Sequence, residues 1–364
     1  MKILAIETSC DETAAAVVEN GTKIISNVIA SSAEMHKKYG GIVPEIAARE
    51  QLRCVIPVLT EACPSLTTVD AIAVAIGPGL VGSLLIGVET AKTIAFATGK
   101  PIIPVNHVLA HMYANFLDSN RENSSRAQSR DNLIGFPAIS LVVSGGHTEL
   151  YLMKSVKELT WLGGTLDDAA GECFDKTARL LGFENRGGVA IEEAAKKCKV
   201  PSAKCKVKLP RPMLDDSFNF SFSGLKTAVL REWRKCHPGQ FGPELTAEGL
   251  DPGSSSKIDS GSTAGMTNAF AFEVQEAITD VLVKKTLRAA QKHQAKSILL
   301  SGGVAANSRL REKFSILHSQ FSIHVPPAQL CTDNAVAIAS YAFFRGEPTD
   351  WHEITAVPDV SVEF

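Results

Sequence analysis

The feature that most narrows what this chain can fold into is a strand–turn–strand unit that occurs twice, once at the head of each half. Residues 2–7 (KILAIE) are apolar up to a terminal carboxylate, turn through polar 8–13, and resume as an apolar strand at 14–18. The pattern returns at 138–153, where AISLVVS runs into GGHTE and then LYLM. Short apolar runs without polar alternation read as strands covered on both faces. Two such units imply a duplicated α/β architecture rather than one sheet. At 364 residues the chain is also long enough for two lobes.

Glycine loops punctuate the remainder. Gly77-Pro78-Gly79 precedes LVGSLLIGVETAK, Gly187-Gly188 precedes VAIEEAAKK, and Gly302-Gly303 follows SILLS. Glycine lets backbone approach a ligand closely, and a following helix N-terminus favours an anion. One such loop is an ordinary connection, but several alternating with apolar strands point to a ligand cleft. Residues 71–88 carry no charge and are long enough to raise a membrane question. Gly77, Pro78, Gly79 and Gly82 interrupt them, so strand, loop and helix are expected in a soluble chain. At the N-terminus Glu7, Asp11 and Glu12 break the apolar run, which reads as a buried strand rather than a signal peptide.

Lys and Arg total 37 against 39 Asp and Glu, a formal net charge of -2. That excludes the global basic footprint of a dedicated nucleic-acid binder, so any RNA contact is local or shared with a partner. The 8 cysteines form no C-x-x-C pair. Scattered through a long chain, they read as reduced thiols, with neither a zinc site nor a disulfide framework implied. Residues 119–132, 196–208 and 246–268 read as surface insertions: polar, lysine-rich and Gly/Ser-rich. The lysines at 196, 197, 199, 204, 206 and 208 read as a solvated loop, with tRNA phosphates as the alternative.

His107 and His111 stand four apart in PVNHVLAHMYANFL, where apolar residues recur at helical spacing. Side chains at i and i+4 share a helix face, so both imidazoles can reach one ion. A zincin needs glutamate directly after the first histidine; here the residue is Val108, which argues against that hydrolytic route. Asp333, in LCTDNAVAIASYAFF, either caps the apolar helix that follows or supplies a third ligand. A His-His-Asp set with open positions suits Fe(II), Zn or Mn.

Taken together, IETSCDET, GPGLVGSL, LVVSGGHTEL, DDAAGECFDKTARLLG, FNFSFSGLKTAV, SGGVAANSRLR and CTDNA resemble, in order over most of the chain, the TsaD family of tRNA N6-adenosine threonylcarbamoyltransferases. The resemblance implies a two-lobed actin-like (ASKHA) α/β fold, with duplicated mixed-sheet domains and an inter-lobe nucleotide cleft. The N-terminal lobe would hold 1–132, completed by the C-terminal helix 333–364, and the C-terminal lobe 133–332. The implied reaction moves the threonylcarbamoyl group of threonylcarbamoyl-adenylate to the adenosine beside the tRNA anticodon, releasing AMP. Implied metal ligands are His107, His111 and Asp333, with one divalent ion per subunit, Fe(2+) favoured and Zn the alternative. The implied adenylate loop is Val142, Val143, Ser144, Gly145 and Gly146, with further nucleotide contacts at Asp175, Gly188, Glu192 and Asn307.

Three positions depart from the family pattern. Leu109 and Ala110 replace a frequent Glu-Gly between the histidines, Asn185-Arg186-Gly187-Gly188-Val189 replaces YPGGP, and Glu192 replaces a common Asp. Asp175 has a bland alternative, an i, i+4 pair with Arg179. Asp11 and Glu12 are the candidates if the chemistry needs a general base. The resemblance further implies tRNA as a partner, a TsaB-like paralogue and a TsaE-like ATPase in bacteria, and no membrane. Bacterial cytoplasm is the expected compartment, with the mitochondrial matrix as alternative. The rival functions are an ATP-dependent small-molecule kinase of the same fold, which leaves the histidines idle, and a non-catalytic scaffold paralogue.

Overall fold

The computed structural model describes residues 1–36, 39, 41–118, 134–183, 187–198, 207–236 and 263–362. The chain begins with β1 (Lys2–Glu7), β2 (Glu12–Glu19) and β3 (Lys23–Ser31), then α1 (Ala33–His36), α2 (Pro44–Ala62), β4 (Ala71–Gly77), α3 (Val81–Thr98), β5 (Ile102–Asn106) and α4 (His107–Tyr113). The second half repeats the plan with β6 (Ala138–Val143), β7 (Thr148–Met153), β8 (Leu159–Gly164), α5 (Ala170–Leu180), α6 (Gly187–Lys196), α7 (Ser223–Cys236), α8 (Thr263–Lys292), β9 (Ser297–Ser301), α9 (Ser308–Ser315) and β10 (Ser322–His324). The last helix is α10 (Ala335–Phe344).

The strands form two five-stranded sheets, ordered β3-β2-β1-β4-β5 and β8-β7-β6-β9-β10. In each, the first three strands are antiparallel and the last two join in parallel. The duplication expected from 2–18 and 138–153 is therefore a duplication of whole sheets. β1 and β6 are central and covered on both faces, which is why their sequences lack polar alternation. β3, at an edge, alternates between exposed and half-buried positions.

Residues 71–88 resolve into β4, a glycine loop and α3, as read. α3 has 18 residues and a mean hydropathy of 1.2, but Ser83, Leu84, Gly87, Val88, Ala91 and Ala95 form a buried face. The segments 119–132 and 199–206 lie outside the described residues, as do 246–262. The tail of the third expected insertion is not a loop: α8 begins at Thr263. Phe270, Val274 and Ile278 set an apolar helical period there, and it outweighs the small residues just before it.

α4 lies between the lobes. Ala110 and Ala114 join the core under the first sheet, whereas Val108, Leu109, Met112, Tyr113 and Phe116 pack with Ala138, Val142, Tyr151, Met153 and Leu299 of the second. Asn115 Nδ2 donates to Leu300 O at 3.1 Å, and Ser340 Oγ donates to Tyr113 O at 3.2 Å. α10 returns after β10 to cover the first sheet beside α4, with seven of its ten residues buried. The segment after α10 runs back over both lobes. Val357 N–H donates to Ile76 O at 2.7 Å, Asn106 Nδ2 to Ser361 O at 3.1 Å, and Tyr151 OH to Val362 O at 3.1 Å.

Gly302 closes β9 onto β6. Its φ is +84°, and a Cβ there would stand 2.4 Å from Val143 O. Both the backbone conformation and the missing space require glycine. Gly302→Ala is expected to destabilise the protein by about 2 kcal/mol or more, read from the urea midpoint. A variant with an unchanged midpoint would show that the loop closes at no cost.

Candidate metal centre and inter-lobe cleft

The two histidines are set by a helix start. Asn106 caps α4, its Oδ1 accepting Val108 N–H at 3.0 Å and Leu109 N–H at 3.2 Å, so His107 occupies the first helical position and His111 lies one turn on. Their rings are 4.7 Å apart at 77°. Asp333 precedes α10, and Asn334 caps that helix by accepting Ala337 N–H at 3.2 Å. Capping therefore falls to Asn334, and Asp333 turns to the histidines. Its Oδ1 is 3.6 Å from His107 Nε2 and 3.4 Å from His111 Nε2.

One ligand atom from each of these residues lies within 4.8 Å of the others, so the group could hold one metal ion. Two observations fit it to a cation. His111 Nε2 is buried without a hydrogen bond of normal geometry. The surroundings are also acidic: burial, with Asp11 and Asp333 nearby, pushes Glu12 up to about 9, and burial plus the same carboxylates raise Cys10. Burial alone would raise Asp333, yet His107 and His111 hold it well below the usual carboxylate range. Burial would likewise lower His107, but Glu7 and Asp333 outweigh it and lift the imidazole to about 9.

Two further residues, not among the candidates that the sequence offers, adjoin the centre. Glu7, buried at the end of β1, places Oε2 2.9 Å from His107 Nδ1. Its signal was a carboxylate closing an otherwise apolar central strand, at the carboxyl edge where α/β sheets bind ligands. His147, in the turn after β6, is lowered to about 4 by burial and by the facing His107 and His111. It is a neutral imidazole beside the centre.

A cavity of about 620 Å3 opens from this centre between the lobes. Asp11, Glu12, Gly145, Asp175, Gly188, Glu192, Asn307 and Asp333 all line it, so residues spread over the whole sequence meet there. Val142 and Val143 do not: their side chains are buried in the cores beneath β6. Ser144, Gly145 and Gly146 form the turn, and a Cβ on either glycine would meet open space. Gly171 brings α5 against that turn, since a Cβ there would stand 2.4 Å from Ser144 O.

Several of the polar residues are already engaged. Asp175, raised by burial, accepts the N–H groups of Gly187 and Gly188 and thus caps α6. Asn307 caps α9 through Leu310 N–H at 3.0 Å and donates to Glu192 Oε2 at 3.2 Å and Gln275 Oε1 at 3.1 Å. Glu192 also accepts Ser308 Oγ at 2.5 Å and Lys196 Nζ at 2.6 Å. At the first glycine loop the close approach is to the chain itself: Leu80 N–H donates to Ser9 O at 2.8 Å, and a Cβ on Gly79 would lie 2.5 Å from the same oxygen. Leu109, between the two histidines, is 1% exposed in the contact between lobes.

The duplicated sheets with a cleft between them define the two-lobed, actin-like α/β class. HypF from T.kodakarensis superposes on 94% of this chain with a TM-score of 0.57 at 14% identity, a likeness of fold alone; this chain spans 47% of that protein. The sequence relatives are much nearer. A family model described as TsaD, tRNA N6-adenosine threonylcarbamoyltransferase, matches residues 23–340. A protein of that name from Thermomicrobium roseum is 46% identical over 359 residues, covering 95% of this chain and 92% of its own length. The Bacillus subtilis (strain 168) protein of the same name is 44% identical, with 95% and 92% covered. The chain belongs to the TsaD family.

His107 holds its proton up to about 9 in the metal-free protein, so an incoming ion must displace it. Metal affinity is accordingly expected to rise with pH between 6 and about 9, and binding near neutral pH to release a proton. Calorimetry in buffers of different ionisation enthalpy reads that proton. Binding without proton release would contradict the assignment of His107.

Proposed function

We propose that this chain transfers the threonylcarbamoyl group of threonylcarbamoyl-adenylate to N6 of the adenosine beside the tRNA anticodon, with AMP as leaving group. The observation that carries the proposal is the His107–His111–Asp333 group, whose Asp333 lines a cleft edged by the glycine turns at Gly145 and Gly188. His107, His111 and Asp333 would hold one divalent ion, Fe(2+) in preference to Zn. When bound, that ion supplies Lewis acidity toward a carbonyl oxygen.

Ser144-Gly145-Gly146 offers backbone donors and little bulk, which suits a phosphate. Gly188 leaves open space at the start of α6, on the same wall. The ribose would lie toward Glu192 and Asn307. These two orient each other, so they present a fixed edge rather than free side chains. Asp175 contributes by holding the Gly187-Gly188 turn in place. Val142 and Val143 contribute only their strand, which aims the turn at the cleft.

The donor is an activated acyl adenylate, so position matters more than base strength. In the metal-free protein burial and the neighbouring carboxylates raise Glu12 to about 9, which favours it as a hydrogen-bond donor over a proton acceptor. Asp11 beside it remains the candidate acceptor for the amine proton.

We assign 1–132 with 333–364 to one lobe and 133–332 to the other. A TsaB-like paralogue fits the apolar surface of the first: α2 and α3 meet where a Cβ on Gly82 would touch Ala48, and they leave Leu52, Ile56, Val81 and Leu85 exposed. A TsaE-like ATPase and a bacterial cytoplasmic location complete the proposal.

The experiment is single-turnover transfer from threonylcarbamoyl-adenylate to unmodified tRNA, run beside metal analysis. His107→Ala is expected to lose bound metal and at least about 100-fold in transfer together. A fully active, metal-free variant would sink the proposal. Glu12→Gln is expected to keep transfer within about fivefold, because the amide preserves the hydrogen-bond donor that a protonated carboxyl supplies. A loss of several hundredfold would make Glu12 a base after all.

A further inference from the structure

We propose that Glu7 is the positioning residue of the metal centre. It accepts the Nδ1–H of His107, fixes that tautomer and so directs Nε2 at the ion. The proposal rests on the metal-binding reading of His107, His111 and Asp333.

Glu7 is 1% exposed. Among the described residues no lysine or arginine pairs with it; its carboxylate faces His107 Nδ1 at 2.9 Å and accepts Ser9 N–H through Oε1 at 2.6 Å. A buried carboxylate aimed at a histidine needs a reason, since burial penalises its charge. The geometry supplies one. Nδ1 points at Glu7 while Nε2, across the ring, points at Asp333 and the space shared with His111. Only the tautomer protonated on Nδ1 satisfies the carboxylate and leaves a lone pair on Nε2. Ser9 Oγ, 3.3 Å from the same Nδ1, is a second polar contact on that side.

The backbone around Glu7 is built to hold this aim. A Cβ on Gly87 would stand 2.3 Å from Thr8 Oγ1, and one on Gly79 would stand 2.5 Å from Ser9 O, which also accepts Leu80 N–H. The glycines of GPGLVGSLLIG thus let α3 close over residues 8 and 9, fixing Glu7 against α4. In this way the first lobe's central strand reaches the metal centre without contributing a ligand.

The test is competitive Zn(2+) titration of the full chain with a chromophoric chelator, on wild type, Glu7→Gln, Glu7→Asp, Glu7→Ala and Asp333→Ala. Wild type is expected to bind one ion and Asp333→Ala to lose it. Glu7→Ala should weaken affinity about 10–100-fold, as loss of a partner behind a ligating histidine does, and Glu7→Asp should recover part of it. Proton NMR of the zinc-loaded proteins provides a readout that a role in folding alone would not move. The hydrogen-bonded His107 Nδ1 proton should resonate far downfield in wild type and shift upfield in Glu7→Gln. Should Glu7→Ala prove unfolded, Glu7→Gln carries both measurements. An affinity within twofold of wild type in Glu7→Gln, with an unmoved Nδ1 proton, overturns the role of Glu7 while Asp333→Ala still reports a metal site. A wild type that binds no zinc or other divalent ion overturns the metal reading itself, and this proposal with it.

Discussion

The structure depends on burying α4 on two sides at once. A short helix is unstable alone, and this one is held by the first sheet through Ala110 and Ala114 and by the second through Val108, Leu109, Met112, Tyr113 and Phe116. Being the contact between lobes, it carries His107 and His111 to Asp333, which lines the cleft. α10 seals the same contact from the other end of the chain, and Asp333 arrives with it. Metal centre and lobe packing are thus one arrangement. Leu109 illustrates the consequence: at 1% exposure it serves the packing.

The cleft follows a second rule: most of its helix ends are satisfied from within the protein. Asp175 caps α6, Asn307 caps α9, and Ser9 O receives the N–H of Leu80 just before α3. Such ends hold their loops rigid, leaving the open turns at Ser144-Gly145-Gly146 and Gly188 as the edges available to a ligand. Side chains read from the sequence as contacts can act one step back, as supports. That division suits a reaction in which placing an activated donor matters more than strong acid or base chemistry.

The electrostatics agree with that division. Asp11, Glu12 and Asp333 line one end of the cleft, with Glu7 behind His107; against them stand three imidazoles, of which His147 is kept neutral by burial and then by its fellows. Without a cation, Glu12 keeps its proton and His107 gains one. The acidic excess is what a bound divalent ion would relieve.

Much of this was legible in the residues. The repeated strand–turn–strand pattern determined the duplicated sheets, because a strand covered on both faces must be apolar throughout. The i, i+4 histidines determined a shared helix face, and ordered motifs determined the family. What only the tertiary structure decided was convergence. Nothing in the spacing says that Glu7 lies behind His107, that Asn334 rather than Asp333 caps α10, or that Asp175 spends its carboxylate on Gly187 and Gly188. The first of those pairings joins residues 100 apart in the chain. Local propensity and periodicity describe a chain within a few turns of itself, whereas burial and the need to pair every buried polar group act only once the sheets have closed.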